Sequence, residues 1–285
     1  MASDMAGTAD PDTRGPGTRG AAKSPERRVV SRGARSVFEG KMVNYRGNWK
    51  GSIVSSILEP VLFLAAMGIS LGTLVDQGGR LDQGVGYLVF LAPGLLAATA
   101  MQTATFESTY AIMGALKWNK TFEGILATPV QVRELVTGHL LFVLFRLVTS
   151  LSVFLAVMAA FGALVLPLGF LALPAAVLTG LAFSAPVVAY AGWIQNDAGF
   201  AALLRFGIVP MFLFSGTFFP VDELPGVLQP VAYATPLWHG VSLTRGLALG
   251  DIQPTVALIN VAYLGVLLLV GVWLARHQFE KRLVI

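Results

Sequence analysis

Cysteine is missing from this chain, and charged residues are scarce. None of the 285 residues is cysteine, which excludes disulfides and thiolate chemistry, and the three scattered histidines speak against a zinc cluster. Only 13% of the residues are charged, against about 25% in soluble domains, while 55% are hydrophobic. The sequence therefore predicts a polytopic membrane protein. The net charge of +4 then reports on membrane topology, and nucleic-acid binding is not expected.

The N-terminal segment also lacks an apolar run. It is rich in glycine, proline, alanine and mixed charge, a composition typical of disordered chain. Because no apolar segment follows the start, a signal peptide is not expected. We predict a disordered tail over residues 1–30 and a single membrane domain over residues 31–285.

Long hydrophobic runs make up most of the remaining sequence. A transmembrane helix needs roughly 20 apolar residues at a rise of 1.5 Å per residue. Stretches of this kind occur at approximately 52–75, 87–113, 136–161, 168–194, 200–219 and 255–275. The sequence therefore predicts an all-α integral membrane protein with six transmembrane helices.

Lysine and arginine are concentrated on one side of these spans. They lie before the first span, between the second and third, and after the sixth: Arg32, Arg35, Lys41, Arg46, Lys50, Lys117, Lys120, Arg133, Arg276, Lys281 and Arg282. The opposite side carries only Arg80 and Arg245. Since cytoplasmic loops are enriched in these two residue types, both termini are predicted to be cytoplasmic, in a bacterial plasma membrane.

An aromatic stripe precedes the first predicted span. Phe38, Met42, Tyr45 and Trp49 recur at helical spacing, and basic residues lie off this face. The pattern favours an N-terminal interfacial helix that lies in the cytoplasmic headgroup layer. The alternative is an ordinary basic flank that is helical.

The segment KWNKTFEGILATPVQVREL, residues 117–135, interrupts the membrane sequence. Phe122, Ile125 and Leu126 fall at i, i+3 and i+4, which predicts a short helix with one apolar face. A short cytoplasmic helix tied to two spans is suited to bind a soluble partner and to transmit its movement. Its apolar face, with Phe122 as an anchor, would then enter a groove on that partner. A plain loop is the alternative.

A capped break is expected between this short helix and the third span. Thr128 is a good N-cap, Pro129 suits the first helical position, and Gln131 would complete a capping box. We therefore expect the short helix to end near Ala127 and the next helix to begin at Pro129.

Three charged residues lie inside predicted spans. Glu59, Glu107 and Arg146 belong to spans one, two and three, in the inner half and at compatible depths. A lone charge in the middle of a membrane is costly, so such residues pair or face water. We expect Arg146 to pair with one or both glutamates. Separate snorkelling of each side chain and a proton relay are the alternatives.

Apolar, proline-rich sequence also lies between spans five and six. Asp222 is expected to cap one short helix, and Thr235-Pro236 to begin a second. Both would be too short to span a membrane and too apolar for water. We therefore predict two short helices that lie on the outer leaflet or dip into it.

Two segments resemble type-2 ABC exporter permeases. The segment KTFEGILATPVQVRELVTGHLL resembles the coupling-helix region of that family at Phe122, Glu123, Leu126, Thr128 and Pro129. Residues 213–250 resemble the late signature of the family at Ser215, Gly216, Phe219, Pro220, Leu224, Pro225, Pro236 and Arg245. The first span is similar to that of the nodulation lipo-oligosaccharide exporter subfamily.

The resemblance covers roughly residues 35–285 and implies the permease subunit of an ATP-driven exporter. The substrates it implies are amphiphiles, such as lipid-linked oligosaccharides, glycolipids or hydrophobic drugs. The pattern GxxxxGK[ST] is absent, so no cofactor is expected in this chain, and ATP and magnesium would be bound by a separate ATPase. Because six spans make half a pathway, a homodimer or a paralogous permease is expected in the lipid membrane.

Two other classes of protein remain open. An ion-coupled secondary transporter would use Glu59, Glu107 and Arg146 and would predict inverted repeats, of which no convincing one is seen. An integral-membrane enzyme would need polar groups that converge near one face. The outer loops offer, in no recognised catalytic pattern, Asp76, Asp82, Asp222, Glu223, His239 and Asp251. The chain itself is therefore predicted not to be an enzyme.

Overall fold

The computed structural model describes residues 25–67, 86–165 and 167–283, and the regular secondary structure in these ranges is helical. In chain order the α-helices are α1 (Pro25–Ala65), α2 (Tyr87–Ser108), α3 (Tyr110–Met113), α4 (Thr121–Leu126), α5 (Val132–Ala160), α6 (Ala172–Trp193), α7 (Ala198–Ala202), α8 (Val209–Phe214), α9 (Gln229–Ala234), α10 (Pro236–Leu249) and α11 (Pro254–Leu283). Short π-helical and 3-10 turns lie at Gly114–Trp118, Leu168–Leu171, Leu203–Ile208 and Val221–Glu223. The all-α class is thus confirmed for these ranges. The predicted tail lies mostly outside them, and α1 begins inside its last residues.

Within the described ranges, segments long and apolar enough to cross a membrane are Tyr87–Trp118, Val132–Ala160, Leu168–Trp193 and Pro254–Leu283. They correspond to the predicted spans two, three, four and six. The predicted fifth span, 200–219, overlaps instead with a shorter apolar helix, Ala198–Phe214, which ends five residues before the end of that span. The predicted first span, 52–75, runs beyond the described residues, so four of the six expected spans are found in the part of the chain that the structure describes.

The aromatic stripe before the first predicted span does not belong to a separate helix. Helix α1 continues through it without interruption for 41 residues, about 60 Å at 1.5 Å per residue. Phe38 and Tyr45 pack edge-on against Phe145 of α5, with ring centroids 6.2 and 5.9 Å apart. The predicted interfacial helix is therefore the first part of a longer helix, and its Phe38 and Tyr45 rings, both half-buried, pack against α5.

Helix α1 crosses α5 closely because a glycine stands at the crossing. A Cβ added at Gly138 would lie 2.7 Å from the carbonyl oxygen of Ala34 and 2.7 Å from Cβ of Val37. Small residues permit this approach between helices in membranes. The crossing fixes which face of α1 lies against α5 over the following turns.

The main core lies between α2, α5, α6 and α10. It contains fully buried leucines from α2 and α5, among them Leu91, Leu96, Leu147 and Leu151. A second core joins the C-terminal parts of α6 and α11 to α4 and the start of α5. We call the end of the bundle at this second core the α4 end, and the opposite end, where α2 begins and α9 lies, the α9 end.

The region between α8 and α11 differs in part from the expected pair of surface helices. Thr235 caps α10 as expected, because its hydroxyl accepts a hydrogen bond from the backbone N–H of Trp238 at 3.3 Å. Asp222 instead lies in a 3-10 turn and accepts a hydrogen bond from the Tyr233 hydroxyl at 2.6 Å. Helix α10 does not lie on the surface: Leu237 is fully buried where α10 packs against α2 and α6. Its apolar face thus belongs to the core of the bundle.

Candidate functional site

Helix α4 is fixed to the bundle by one aromatic ring. The side chain of Phe122 is 2% exposed and packs against Phe279 of α11, with ring centroids 6.1 Å apart. Ile125 and Leu126 are partly buried beside the same cluster. The predicted apolar face therefore exists, but it faces the chain's own α11. The expectation that Phe122 enters a groove on a partner is wrong, because its ring is already buried.

The outward surface of α4 is polar and charged. Glu123 and Gly124 are exposed, and so is Lys120 just before the helix. Lys120 has a φ of 48°, in the left-handed region, which turns the chain sharply between the preceding π-helical turn and α4. Trp118 on that turn is 63% exposed. The surface that a partner can reach is therefore formed by Trp118, Lys120 and Glu123, which we call the α4 outer surface.

The break after α4 is built differently from the expected one. The Thr128 hydroxyl donates a hydrogen bond to the Ile125 carbonyl oxygen at 2.6 Å, so Thr128 ends α4. Helix α5 begins at Val132, where the backbone N–H of Gln131 donates to Oε2 of Glu134 at 2.8 Å. The predicted start at Pro129 is thus wrong by three residues. A charged acceptor at the third helical position makes Gln131 the N-cap.

The C-terminal turns of α11 connect the other helices at the α4 end. Nη1 of Arg282 donates hydrogen bonds to the carbonyl oxygens of Ala191, Gly192 and Ile194 at 3.1, 3.0 and 2.8 Å. A cation is favourable there because the last carbonyls of α6 lack helical partners. Together with Phe279 on the preceding turn, Arg282 joins α4, α6 and α11 into one unit. Sequence analysis used Arg282 only as a topology signal.

The predicted intramembrane charge cluster is found in part. Nε of Arg146 lies 3.0 Å from Oε1 of Glu107, and the two side chains are 15% and 23% exposed. Nη1 of Arg146 also donates to the Tyr45 hydroxyl at 3.0 Å. The side chain of Glu59 lies outside the described residues. Arg146 therefore connects α5 to both α2 and α1, a role for Tyr45 that the sequence pattern did not indicate.

A half-open cavity of about 1100 Å³ lies beside this ion pair. It is enclosed by α1, the segment from α2 to the π-helical turn, α4 and α5. The charged side chains that line it are Lys41, Glu107, Lys120 and Arg146. Trp118 and Lys120 of the α4 outer surface also line this cavity, so the cavity opens toward that surface, whereas Glu123 does not line it.

Arg245, in the late segment, is held by backbone carbonyl groups. Its guanidinium lies 3.8 Å from the centroid of the Phe90 ring, and Nη2 donates to the Gly216 carbonyl oxygen at 2.8 Å. Nε donates to the carbonyl oxygen of Phe90 at 3.2 Å. Gly94 leaves room for the Arg245 guanidinium, since a Cβ at Gly94 would lie 2.9 Å from Nη2 of Arg245. Arg245 thus ties α10 to α2 and to the turn after α8.

The remaining residues of the late segment shape the same turn. Ser215 shares a hydrogen bond with the Thr235 hydroxyl at 2.8 Å. Leu224 is buried, while Phe219 and Pro220 are half-buried and Pro225 is exposed. The structure brings these residues together at the α9 end, far along the bundle from α4, so the two segments singled out in the sequence form separate sites.

These features define a class of protein, a helical membrane protein. At one end a short helix, α4, is anchored between two spans, and at the other end a helix, α10, packs into the core of the bundle. Residues 34–249, well over half of the chain, match the family model described as ABC-2 type transporter. The chain belongs to the ABC-2 type transporter family. Members of this family are transport subunits and normally pair with an ATPase subunit.

Curated relatives agree with this membership. Nodulation protein J of Rhizobium meliloti (strain 1021) is 33% identical over 207 residues, which cover 71% of this chain and 78% of that protein. Nodulation protein J of Rhizobium leguminosarum bv. trifolii is 34% identical over 206 residues, 71% and 77% of the two chains. The inner membrane transport permease YadH of Escherichia coli (strain K12) is 24% identical over 198 residues, 66% and 73% of the two chains.

Proposed function

We propose that this chain is the permease subunit of an ATP-driven exporter that moves an amphiphile, such as a lipo-oligosaccharide, glycolipid or hydrophobic drug, out of the cytoplasm. The observation that carries the proposal is α4, a short helix anchored to the bundle on one side and polar on the other, in a member of the ABC-2 type transporter family. The relatives named nodulation protein J and inner membrane transport permease support an export role.

In the proposed mechanism a separate ATPase binds the α4 outer surface. Movement of α4 passes through the Phe122–Phe279 contact to α11, and from Arg282 to the C-terminal end of α6. Because α4 is packed against the bundle, it cannot move without these helices. ATP-driven closure of two ATPases would in this way rock the spans and open an outward path.

The charge distribution supports the orientation that the mechanism needs. Most of the cations lie on the α4 end, which favours a cytoplasmic position for that end and for both termini. One chain provides half of a pathway, so two permeases, identical or paralogous, are combined with two ATPases. The ATP and magnesium are bound by the ATPase chains.

The experiment is reconstitution with an ABC ATPase that co-purifies with this chain. Export of a fluorescent lipid or glycolipid from proteoliposomes is followed with ATP, without ATP, and with ATP plus a protonophore. The proposal expects transport that requires ATP and the ATPase chain and that the protonophore leaves unchanged. Transport by this chain alone, driven by an ion gradient, would instead favour the secondary transporter built on Glu59, Glu107 and Arg146.

A further inference from the structure

The cavity beside the ion pair shares Trp118 and Lys120 with the α4 outer surface, but the mechanism above gives no role to its interior. Its volume of about 1100 Å³ is at the upper end of ordinary ligand pockets, roughly 300–1,000 Å³. Phe122, Gly124 and Ile125 of α4 form one wall, and residues of α1 face them. A molecule bound in the cavity would therefore contact both α1 and α4.

The charges in the cavity favour an anion. Three cations, Lys41, Lys120 and Arg146, line it together with a single carboxylate, Glu107. Glu107 is already paired with Arg146 at 3.0 Å. Nη2 of Arg146 has no hydrogen-bond partner among the described residues, since its two bonds use Nε and Nη1. The cavity thus retains an excess of positive charge.

Lys41 is a cation in this cavity whose side chain lacks an ion-paired or hydrogen-bonding partner among the described residues. Its ammonium group lies 5.4 Å from the centroid of the Phe142 ring and makes no hydrogen bond or ion pair with any residue in the described ranges. Burial lowers the pKa of Lys41 to about 8, and the charge of Glu107 only partly opposes this. Lys41 is half-buried, and an anionic ligand would supply the charged hydrogen-bond partner that its ammonium group lacks.

The walls and surroundings fit an amphiphile better than a free ion. Aromatic and amide side chains accompany the cations, namely Asn44, Tyr45, Tyr110, Trp118 and Asn119. Phe106, next to the cavity-lining Glu107, is 55% exposed, and Leu58 and Leu62 further along α1 are 51% and 57% exposed. Apolar surface for acyl chains is therefore available beside a polar, cationic cavity.

We propose that this cavity binds the phosphate-bearing headgroup of an anionic amphiphile, with Lys41 and Arg146 as its cationic ligands. The phosphate forms charge-assisted hydrogen bonds with both side chains, and the acyl chains follow the apolar side of α1. Phosphate of this kind is carried by anionic membrane phospholipids and by phosphate-bearing lipid substrates. In either case the headgroup lies between α1 and α4 and restrains their separation.

Two glycines of α1 allow a matched test of the cavity itself. A Cβ at Gly40, which lines the cavity, meets no atom within 4 Å, and the same is true of Gly47, which does not line it. Gly40→Phe therefore fills the cavity without removing a charge, and Gly47→Phe adds the same ring two helical turns later. For the charge, Lys41→Gln is compared with Arg46→Gln, since Arg46 is exposed and does not line the cavity.

The measurement is thermal unfolding of the purified full chain in detergent, with phosphatidylglycerol, phosphatidylcholine or glycerol 1-phosphate added. Phosphatidylglycerol at ten times its Kd should raise the unfolding temperature of the parent by about 4 °C, and phosphatidylcholine should not. Gly40→Phe and Lys41→Gln should lose most of this shift, and Gly47→Phe and Arg46→Gln should keep it. Lys41→Arg retains the charge and should keep most of it.

Three results would overturn the proposal. One is an equal lipid-induced shift in the parent, Gly40→Phe and Lys41→Gln. Another is an equal loss in Arg46→Gln, which would indicate diffuse attraction to anionic lipid. The third is a shift with phosphatidylcholine as large as with phosphatidylglycerol. A Lys41-dependent shift with glycerol 1-phosphate alone would retain the phosphate site and assign it to a soluble ligand. These outcomes are independent of whether the chain exports anything.

Discussion

Phe122 of α4 and Phe279 of α11 lie edge to face, with ring centroids 6.1 Å apart and an interplanar angle of 61°. A helix of six residues has little stability of its own, so this contact determines where α4 lies. It would also let α4 serve as the proposed partner-binding surface while remaining a rigid part of the bundle.

Phe122→Ala should destabilise the protein by about 3 kcal/mol, because a buried ring is removed and a space is left beside Phe279. Denaturant or thermal unfolding of the detergent-purified protein measures the effect. Phe206→Ala removes the same ring from a position that is 82% exposed, and it should change stability by less than about 0.5 kcal/mol. Equal effects of the two substitutions would show that Phe122 does not anchor α4.

Glu123→Arg should leave the unfolding temperature nearly unchanged, because Glu123 is exposed and its side chain makes no hydrogen bond or ion pair in the described ranges. It should weaken co-purification with the ATPase by about tenfold or more, because a reversed charge at a contact surface disfavours the partner. Glu223→Arg makes the same change at an exposed position at the α9 end and serves as the control. Unaltered ATPase binding by Glu123→Arg would remove α4 from the interface.

Arg146→Ala should destabilise the protein by about 3 kcal/mol, because the half-buried Glu107 loses its partner. Adding Glu107→Gln should restore at least about 1 kcal/mol, and a double-mutant cycle on unfolding free energies measures this coupling. Arg133→Ala, which breaks the exposed Arg133–Glu280 pair, should cost less than about 0.5 kcal/mol. A negligible effect of Arg146→Ala would show that the ion pair does not stabilise the bundle.

Local patterns in the sequence predicted local structure well. The Thr235-Pro236 start of α10 was predicted because a cap and a first-turn proline are set by adjacent residues. The start of α5 was misplaced because the capping pattern from Thr128 to Gln131 overlaps with a second one from Gln131 to Glu134. The structure uses the second pattern, so Gln131 is the N-cap. Glu134 accepts a hydrogen bond from the Gln131 N–H, whereas the Thr128 N–H is already bonded to the Ile125 carbonyl oxygen.

Contacts between distant segments were less predictable. The ring of Phe122 was expected to face a partner, since an apolar face on a short helix does not reveal what covers it, and Phe279 lies far along the chain. The stripe of α1 was similarly assigned to the headgroup layer, and its contacts with Phe145 of α5 were not foreseen. In contrast, the pairing of Arg146 with a glutamate was expected, because few charges were available at the same depth.

Binding of phosphatidylglycerol in the proposed cavity should weaken as pH rises through about 8. Burial lowers the pKa of Lys41 to about 8, so the ammonium loses its charge above that pH, while a phosphodiester stays anionic. The other titratable or charged groups on the elements around Lys41 are Tyr45, Glu107, Tyr110, Lys120, His139 and Arg146. The lipid-induced shift of the unfolding temperature, measured from pH 6.5 to 9.5, should fall most between pH 7.5 and 9. In Lys41→Arg it should stay constant, and a parent shift that does not change over this range would contradict the prediction.

Membrane topology can be tested directly because the chain has no cysteine. Single-cysteine variants at Lys120, at the α4 end, and at Val227 and Asp251, at the α9 end, are all at exposed positions. In intact cells a membrane-impermeant maleimide should label Val227→Cys and Asp251→Cys, since the proposed orientation places the α9 end outside. Lys120→Cys should be labelled only after the membrane is permeabilised. Leu224→Cys, at a position that is 8% exposed, should react slowly under both conditions and controls for burial. Labelling of Lys120→Cys in intact cells would reverse the orientation and place α4 where no cytoplasmic ATPase can reach it.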